Sequence, residues 1–200
     1  MVASVDLFWL PLGAGPKGQC VRFNGRVFEG VSSFLSHRNP HDLYHSALDV
    51  RVDSDAYVIE MTPVWQSKQE DRGVQLEGPV GLRVLGRSPL FRYEVRCWRS
   101  GVIPDVAEAV DSPQRMSTDD DMARLVLKLV SECPPVTWGR DEMRTGDMWN
   151  SNSVVSWLLS RSGHDVALPT MPFNGRAPGW DAGLVVAARQ RAVAGIPGAA

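Results

Sequence analysis

Three residues in this chain have the types and the order that acyl-transfer chemistry needs. Ser151 opens a helix-patterned stretch, and His45 and Glu60 lie on two strand-patterned runs joined by a short turn. A hydroxyl nucleophile needs a base to take its proton, and imidazole is the usual base. A carboxylate then orients the ring and steadies the imidazolium. In the stretch WNSNSVVSWLLSRSG, Val154, Val155, Leu158 and Leu159 recur at helical spacing, Asn150 is a good N-cap and Gly163 a stop. Ser151 is then the first helical residue, and its phase against Val154, Val155 and Leu158 turns it inward. There it meets unpaired backbone N–H groups and the positive end of the helix dipole, which favour a developing oxyanion. The same position also suits a serine that only shares capping with Asn150.

The runs YHSALDVRV and AYVIEMT flank Asp53-Ser54-Asp55 and predict a β-hairpin. With the turn near Ser54, Glu60 falls opposite Ala47 or Leu48 and His45 opposite the neighbourhood of Thr62, diagonally on one face. Strand alternation groups His45 with Ala47, Asp49 and Arg51, and sets Leu48, Val50 and Val52 on the other side. Taken singly, a His at a strand edge suits a structural or surface role and a hairpin Glu a solvated one. The combination with Ser151 is what suggests a site.

A His opening a strand, an acidic residue near the end of the next strand, and later an Asn-nucleophile pair opening an apolar helix resembles the circularly permuted papain-like fold. That group includes the lecithin:retinol acyltransferase-like proteins and permuted NlpC-type peptidases, in which the helix opens with Asn-Cys. Asn150-Ser151-Asn152-Ser153-Val154-Val155 matches except at the nucleophile, and the likeness spans about residues 43–160. It implies an α+β domain with an antiparallel sheet packed against helices, with His45 as base, Glu60 as its orienter and Ser151 at the position of the catalytic Cys. Apart from the resemblance, Asn150, Asn152, Trp149 and Arg176 are the candidate oxyanion and substrate-binding residues.

Serine at that position changes the chemistry. A thiolate is the stronger nucleophile near neutral pH and pairs with a neighbouring imidazolium, whereas a hydroxyl must lose its proton during attack. Three readings follow: a hydrolase or acyltransferase that uses Ser151 on an amide, ester or thioester; a catalytically inactive module that binds a ligand or peptide; or a Cys-to-Ser variant of a thiol hydrolase.

Other residues carry weaker signals. Trp149 suits either a cleft wall or the core. NGRAPGWDAG places Arg176 for an anionic or carbonyl group and Trp180 or Asp181 for a pocket wall, but turn chemistry alone accounts for its glycines and prolines. His37, His41 and His45 are four apart, yet Pro40 interrupts any helix joining them, and no metal site is expected. No nucleotide-binding glycine motif is present, and no cofactor is expected.

The chain has 200 residues, 44% of them hydrophobic and 22% charged, and a net charge of −2, which fits one ordinary globular domain. With no basic run, that balance argues against nucleic acid or an anionic membrane as the main partner and favours a small-molecule or peptide substrate. Cys20, Cys97 and Cys133 are odd in number and widely spaced, which predicts reduced thiols and a cytoplasmic protein. No signal segment or membrane span is expected. One domain is predicted over 1–193, followed by a loose tail at 194–200. Within it, strands are predicted around 5–11, 20–23 and 91–98, and a helix over VFEGVSSFLSHR. Residues 66–88 read as loops with one weak strand, 100–116 as irregular, 119–130 as a helix, and GLVVAA as a last strand.

Overall fold

The computed structural model describes residues 2–12, 41–64 and 71–194. The strand expected at 20–23, the helix expected over 27–38 and most of the expected tail lie outside these residues. The described chain is α+β, with an antiparallel sheet and three α-helices. The strands are β1 (Ser4–Pro11), β2 (Asp42–Val52), β3 (Asp55–Pro63), β4 (Val74–Pro79), β5 (Arg92–Arg99) and β6 (Val110–Ser117), in the order β4-β5-β3-β2-β1-β6. A two-residue strand, β7 (Gly175–Arg176), adds to β2 in parallel, pairing Asp42 with Gly175 and Leu43 with Arg176. The helices are α1 (Asp120–Leu129), α2 (Ser151–Arg161) and α3 (Trp180–Val193).

The central hairpin follows its sequence pattern. Val52 pairs with Asp55, leaving Asp53 and Ser54 as the turn, and Asp53 takes the positive φ of 55° that aspartate tolerates better than most residues. Alternation along the strands then separates two faces. Leu7, Trp9, Leu48, Val50, Ile59, Met61, Tyr93 and Val95 join Val126 of α1, Val154 and Leu158 of α2 and Val186 of α3 in the main core. The opposite face carries a smaller cluster of Leu10, Ala47, Val58 and Ile103.

α1 begins as its acidic first turn predicts, with Asp119 Oδ1 accepting from the Met122 N–H at 2.8 Å. α2 begins at the Asn150 cap and ends at Gly163 (φ 85°). There the N–H groups of Gly163 and His164 return to the carbonyls of Ser160 and Leu159, closing a left-handed C-terminal cap.

Two expectations are corrected. Residues 110–116, within the stretch read as irregular, form with Ser117 the strand β6 on β1. Asp111, Ser112 and Pro113 hide the strand from a propensity reading, but β6 is an edge strand with a shifted register, where a proline removes no needed donor. The GLVVAA run, read as a strand, lies inside α3. Its valines suggested β structure, whereas the helix formers around it and close packing on α2 decide otherwise.

α2 also departs from a simple amphipathic stripe, since every residue from Ser151 to Ser160 is buried. It lies between the sheet and α3, and Gly183 permits that approach. A Cβ at 183 would stand 2.1 Å from both the Ser153 carbonyl oxygen and Ser156 Oγ. No described helix is long and apolar enough to cross a membrane.

Candidate active site

The first turn of α2 is held by polar side chains. Asn150 Oδ1 accepts from the N–H groups of Asn152 and Ser153, and Ser153 Oγ accepts from the Asn150 N–H, which completes a capping box. Asn150 Nδ2 donates to the Pro178 carbonyl at 2.8 Å. Asn152 Nδ2 donates to the same carbonyl at 2.9 Å and to the Tyr44 carbonyl at 3.0 Å, while its Oδ1 accepts from Ser46 Oγ at 2.9 Å. Ser153 Oγ also contacts the Gly179 carbonyl at 2.7 Å, and Ser156 Oγ donates to that of Trp180 at 2.7 Å. Asn150 and Asn152 therefore join the helix to β2 and to the segment before α3, and their polar atoms are engaged within the protein. Gly179 fits this arrangement, because its φ of 86° and the 2.5 Å between a built Cβ and Asn150 Oδ1 both require glycine.

Ser151 is the exception. Between Asn150 and Ser156 it is the one polar side chain with no hydrogen-bond partner among the described residues, and its backbone N–H has none either. The neighbouring N–H groups of Asn152, Ser153 and Val154 are all taken by Asn150. Of the several donors expected at this helix start, one remains for a developing negative charge, and it belongs to the nucleophile candidate itself.

His45 lies on β2 between Tyr44 and Ser46, the two residues that Asn152 grips. Tyr44 and Ser46 turn toward α2, so alternation brings the imidazole out on the other side of the strand, in register with Leu10. At this point β2 has parted from β3, whose paired residues run from Leu48 to Val52. His45 is half-buried by its own surface, yet the protein packed around it pushes the imidazole down to about 4, so the ring is neutral at physiological pH. No hydrogen bond joins it to Ser151 or to Glu60 among the described residues.

Glu60 shares the face of His45 but is engaged elsewhere. Its Oε1 accepts from Arg96 Nη1 at 2.9 Å, and Arg96 Nε also bonds Glu94, which in turn receives Arg72 Nε at 2.6 Å and Nη2 at 2.8 Å. Burial raises the Glu60 carboxyl, and Arg96 only partly offsets the rise. This buried network escaped the sequence reading. Its signal lay in FRYEVRCW, where period two sets Glu94 and Arg96 together opposite Tyr93, Val95 and Cys97, and Glu60 pairs with Arg96.

Trp149 is fully buried in the main core, with its indole N–H without a hydrogen-bond partner among the described residues. Trp180 packs on Trp9 at 5.2 Å between ring centroids. Arg176 lies in β7 beside Leu43, two residues from His45. Of the three spaced histidines, His37 is outside the described residues. No group of three potential metal ligands occurs among the described ones. Among the described residues Cys133 is a buried free thiol and Cys97 a partly buried one, and desolvation lifts Cys97 to about 11 and Cys133 further; Cys20 lies outside the described residues. Comparison with protein-family profiles, curated proteins and solved structures finds no match for this chain.

Proposed function

We propose that the chain is a papain-like hydrolase or acyltransferase in permuted order, with Ser151 as nucleophile. One observation supports the reading: in a helix start where every other polar side chain is partnered inside the protein, the hydroxyl and N–H of Ser151 alone have no hydrogen-bond partner among the described residues. Ser151 Oγ attacks the carbonyl carbon of an amide, ester or thioester, and His45 is the base; its imidazole leaves β2 on the side away from α2, so the proton reaches it through water around the strand rather than by direct contact. The Ser151 N–H donates to the carbonyl oxygen as it becomes an oxyanion. The proton passes to the leaving group as the old bond breaks, and water or a second acceptor then releases the acyl group. With its imidazole pushed down to about 4 by burial, His45 is neutral near pH 7 and a weak base. Glu60 contributes the charge balance of the face rather than a direct grip on the ring.

The second reading is a module that binds a carbonyl-bearing ligand without turning it over. The turn of His45 away from α2 and the engagement of Glu60 by Arg96 favour it, because among the described residues they leave His45 without a carboxylate partner.

The test uses an activated acyl ester and mass spectrometry. A covalent acyl group on the peptide containing Ser151, absent in Ser151→Ala and strongly reduced in His45→Ala, supports catalysis. No adduct with any ester, together with ligand binding undiminished in Ser151→Ala, assigns the binding module instead. An adduct that persists in Ser151→Ala would falsify the role of this residue.

A further inference from the structure

The connection between β4 and β5 exposes an unusual sequence, LRVLGRSPLFR, at residues 82–92. It folds as two short 3-10 turns, Arg83–Arg87 and Pro89–Phe91, neither of which buries any residue. Leu82, Val84, Leu85, Leu90 and Phe91 are all exposed, with Val84 and Leu90 at 64% and 68%. Five large apolar side chains in ten residues form a concentrated patch of a kind that marks interaction sites. Arginines are interleaved with them, and no acidic residue occurs between Glu77 and Glu94. Arg83 pairs with Glu142 and Arg92 with Glu77, while Arg87 is exposed and has no ion pair among the described residues.

The patch sits at a particular end of the fold. β4 ends and β5 begins where β3 ends, since Pro79 pairs with Arg92 and Pro63 with Tyr93. The antiparallel order puts the start of β2 at the same end, where α2 meets Tyr44 and Ser46. The connection is also tied to the segment entering α2. Gly81 N–H donates to the Trp138 carbonyl at 2.9 Å, Trp138 N–H to that of Pro79 at 2.9 Å, and Gly139 N–H to that of Trp149 at 2.8 Å.

We propose that residues 82–91 dock this protein peripherally on an anionic lipid bilayer, with the apolar side chains entering the interfacial region and Arg87 meeting lipid phosphates. Apolar side chains beside Arg87, in a run of sequence without a carboxylate and with Arg83 and Arg92 already neutralised by Glu142 and Glu77, suit the boundary between headgroup and acyl chain, where each type finds its own surroundings. The chain as a whole carries a charge of −2, so the attraction is local and depends on this patch. Docking would turn the Ser151 end of the sheet toward the lipid, and it stands whether or not Ser151 reacts.

Co-sedimentation with vesicles of phosphatidylcholine, alone or with one part in about four of phosphatidylserine, tests this. The expected result is binding that rises with phosphatidylserine and falls with added salt. Partitioning should drop about tenfold in Leu90→Asp/Phe91→Asp and severalfold in Arg87→Glu, with no change in Val193→Asp, a substitution at an exposed apolar residue elsewhere. All three sites are exposed, and far-UV circular dichroism checks that each variant folds. Failure of the wild-type chain to sediment with either vesicle, or equal sedimentation of the Leu90/Phe91 variant, overturns the proposal. A dimer of the wild-type chain that the Leu90/Phe91 variant converts to a monomer gives the patch to a second copy, and also overturns it. Ser151→Ala should sediment like wild type, which keeps this outcome separate from that of the acylation test.

Discussion

Ser46 Oγ donates to Asn152 Oδ1 at 2.9 Å, while the amide of Asn152 holds the carbonyls of Tyr44 and Pro178. One buried side chain thus ties a strand, a helix start and the approach to a second helix. Asn152→Ala removes it and leaves the Tyr44 carbonyl and the Ser46 hydroxyl without this partner, while Asn150 still serves the Pro178 carbonyl, at an expected cost of about 2 kcal/mol in urea unfolding. Asn152→Asp should cost more, since a carboxylate would face the two carbonyl oxygens that the amide now serves.

Gly183 predicts a packing effect. With a Cβ at 2.1 Å from the Ser153 carbonyl oxygen and from Ser156 Oγ, Gly183→Ala must push α2 and α3 apart. Despite the better helix propensity of alanine, the change should destabilise by about 2–3 kcal/mol in the same measurement.

The buried ion network predicts an asymmetry. Glu60→Gln keeps an oxygen for Arg96 and leaves Arg96 bound to Glu94, so about 1–2 kcal/mol is expected. Arg96→Met leaves two buried carboxylates facing each other and should cost about 3–5 kcal/mol. Equal losses in the two variants would show that Arg96 is not the hub of the network.

His45 sets a pH dependence of stability. Its folded value, about 4, lies below the ordinary 6.5, so between these limits the unfolded chain binds more protons than the folded one. Its contribution is complete above about 6.5 and disappears as pH falls through about 4. The full shift corresponds to about 3 kcal/mol, and part of the ring surface is open to solvent, so a smaller loss is expected. His45→Gln should flatten the acid limb of stability against pH. Acylation at Ser151 should likewise stay level near neutrality and decline only toward pH about 4.

Much of the frame was legible because periodicity and punctuation agreed. The hairpin around Asp53 and Ser54, the Asp119 cap of α1, and the Asn150 and Gly163 limits of α2 all follow local rules. β6 and α3 were misread where tertiary partners outweigh propensity: Pro113 tolerates an edge strand, and the valines of α3 pack in a helix against α2. For the site, the inward turn of Ser151 and the shared face of His45 and Glu60 were readable from phase. The engagement of Glu60 by Arg96 was not, because it depends on which strand lies beside β3. Nor did the asparagines declare their task, since the carbonyls they hold are distant in sequence.

The side of β2 that pairs with β3 from Leu48 to Val52 and with β7 at Asp42 and Leu43 has no strand partner at residues 44–47 among the described residues. Asn152 enters that gap and takes the Tyr44 carbonyl as a neighbouring strand would. The first turn of α2 is thereby part of the ladder, so neither can open alone without stranding buried polar groups of the other. In amide hydrogen exchange, the first turn of α2 and the middle of β2 should lose protection together, as a single opening unit.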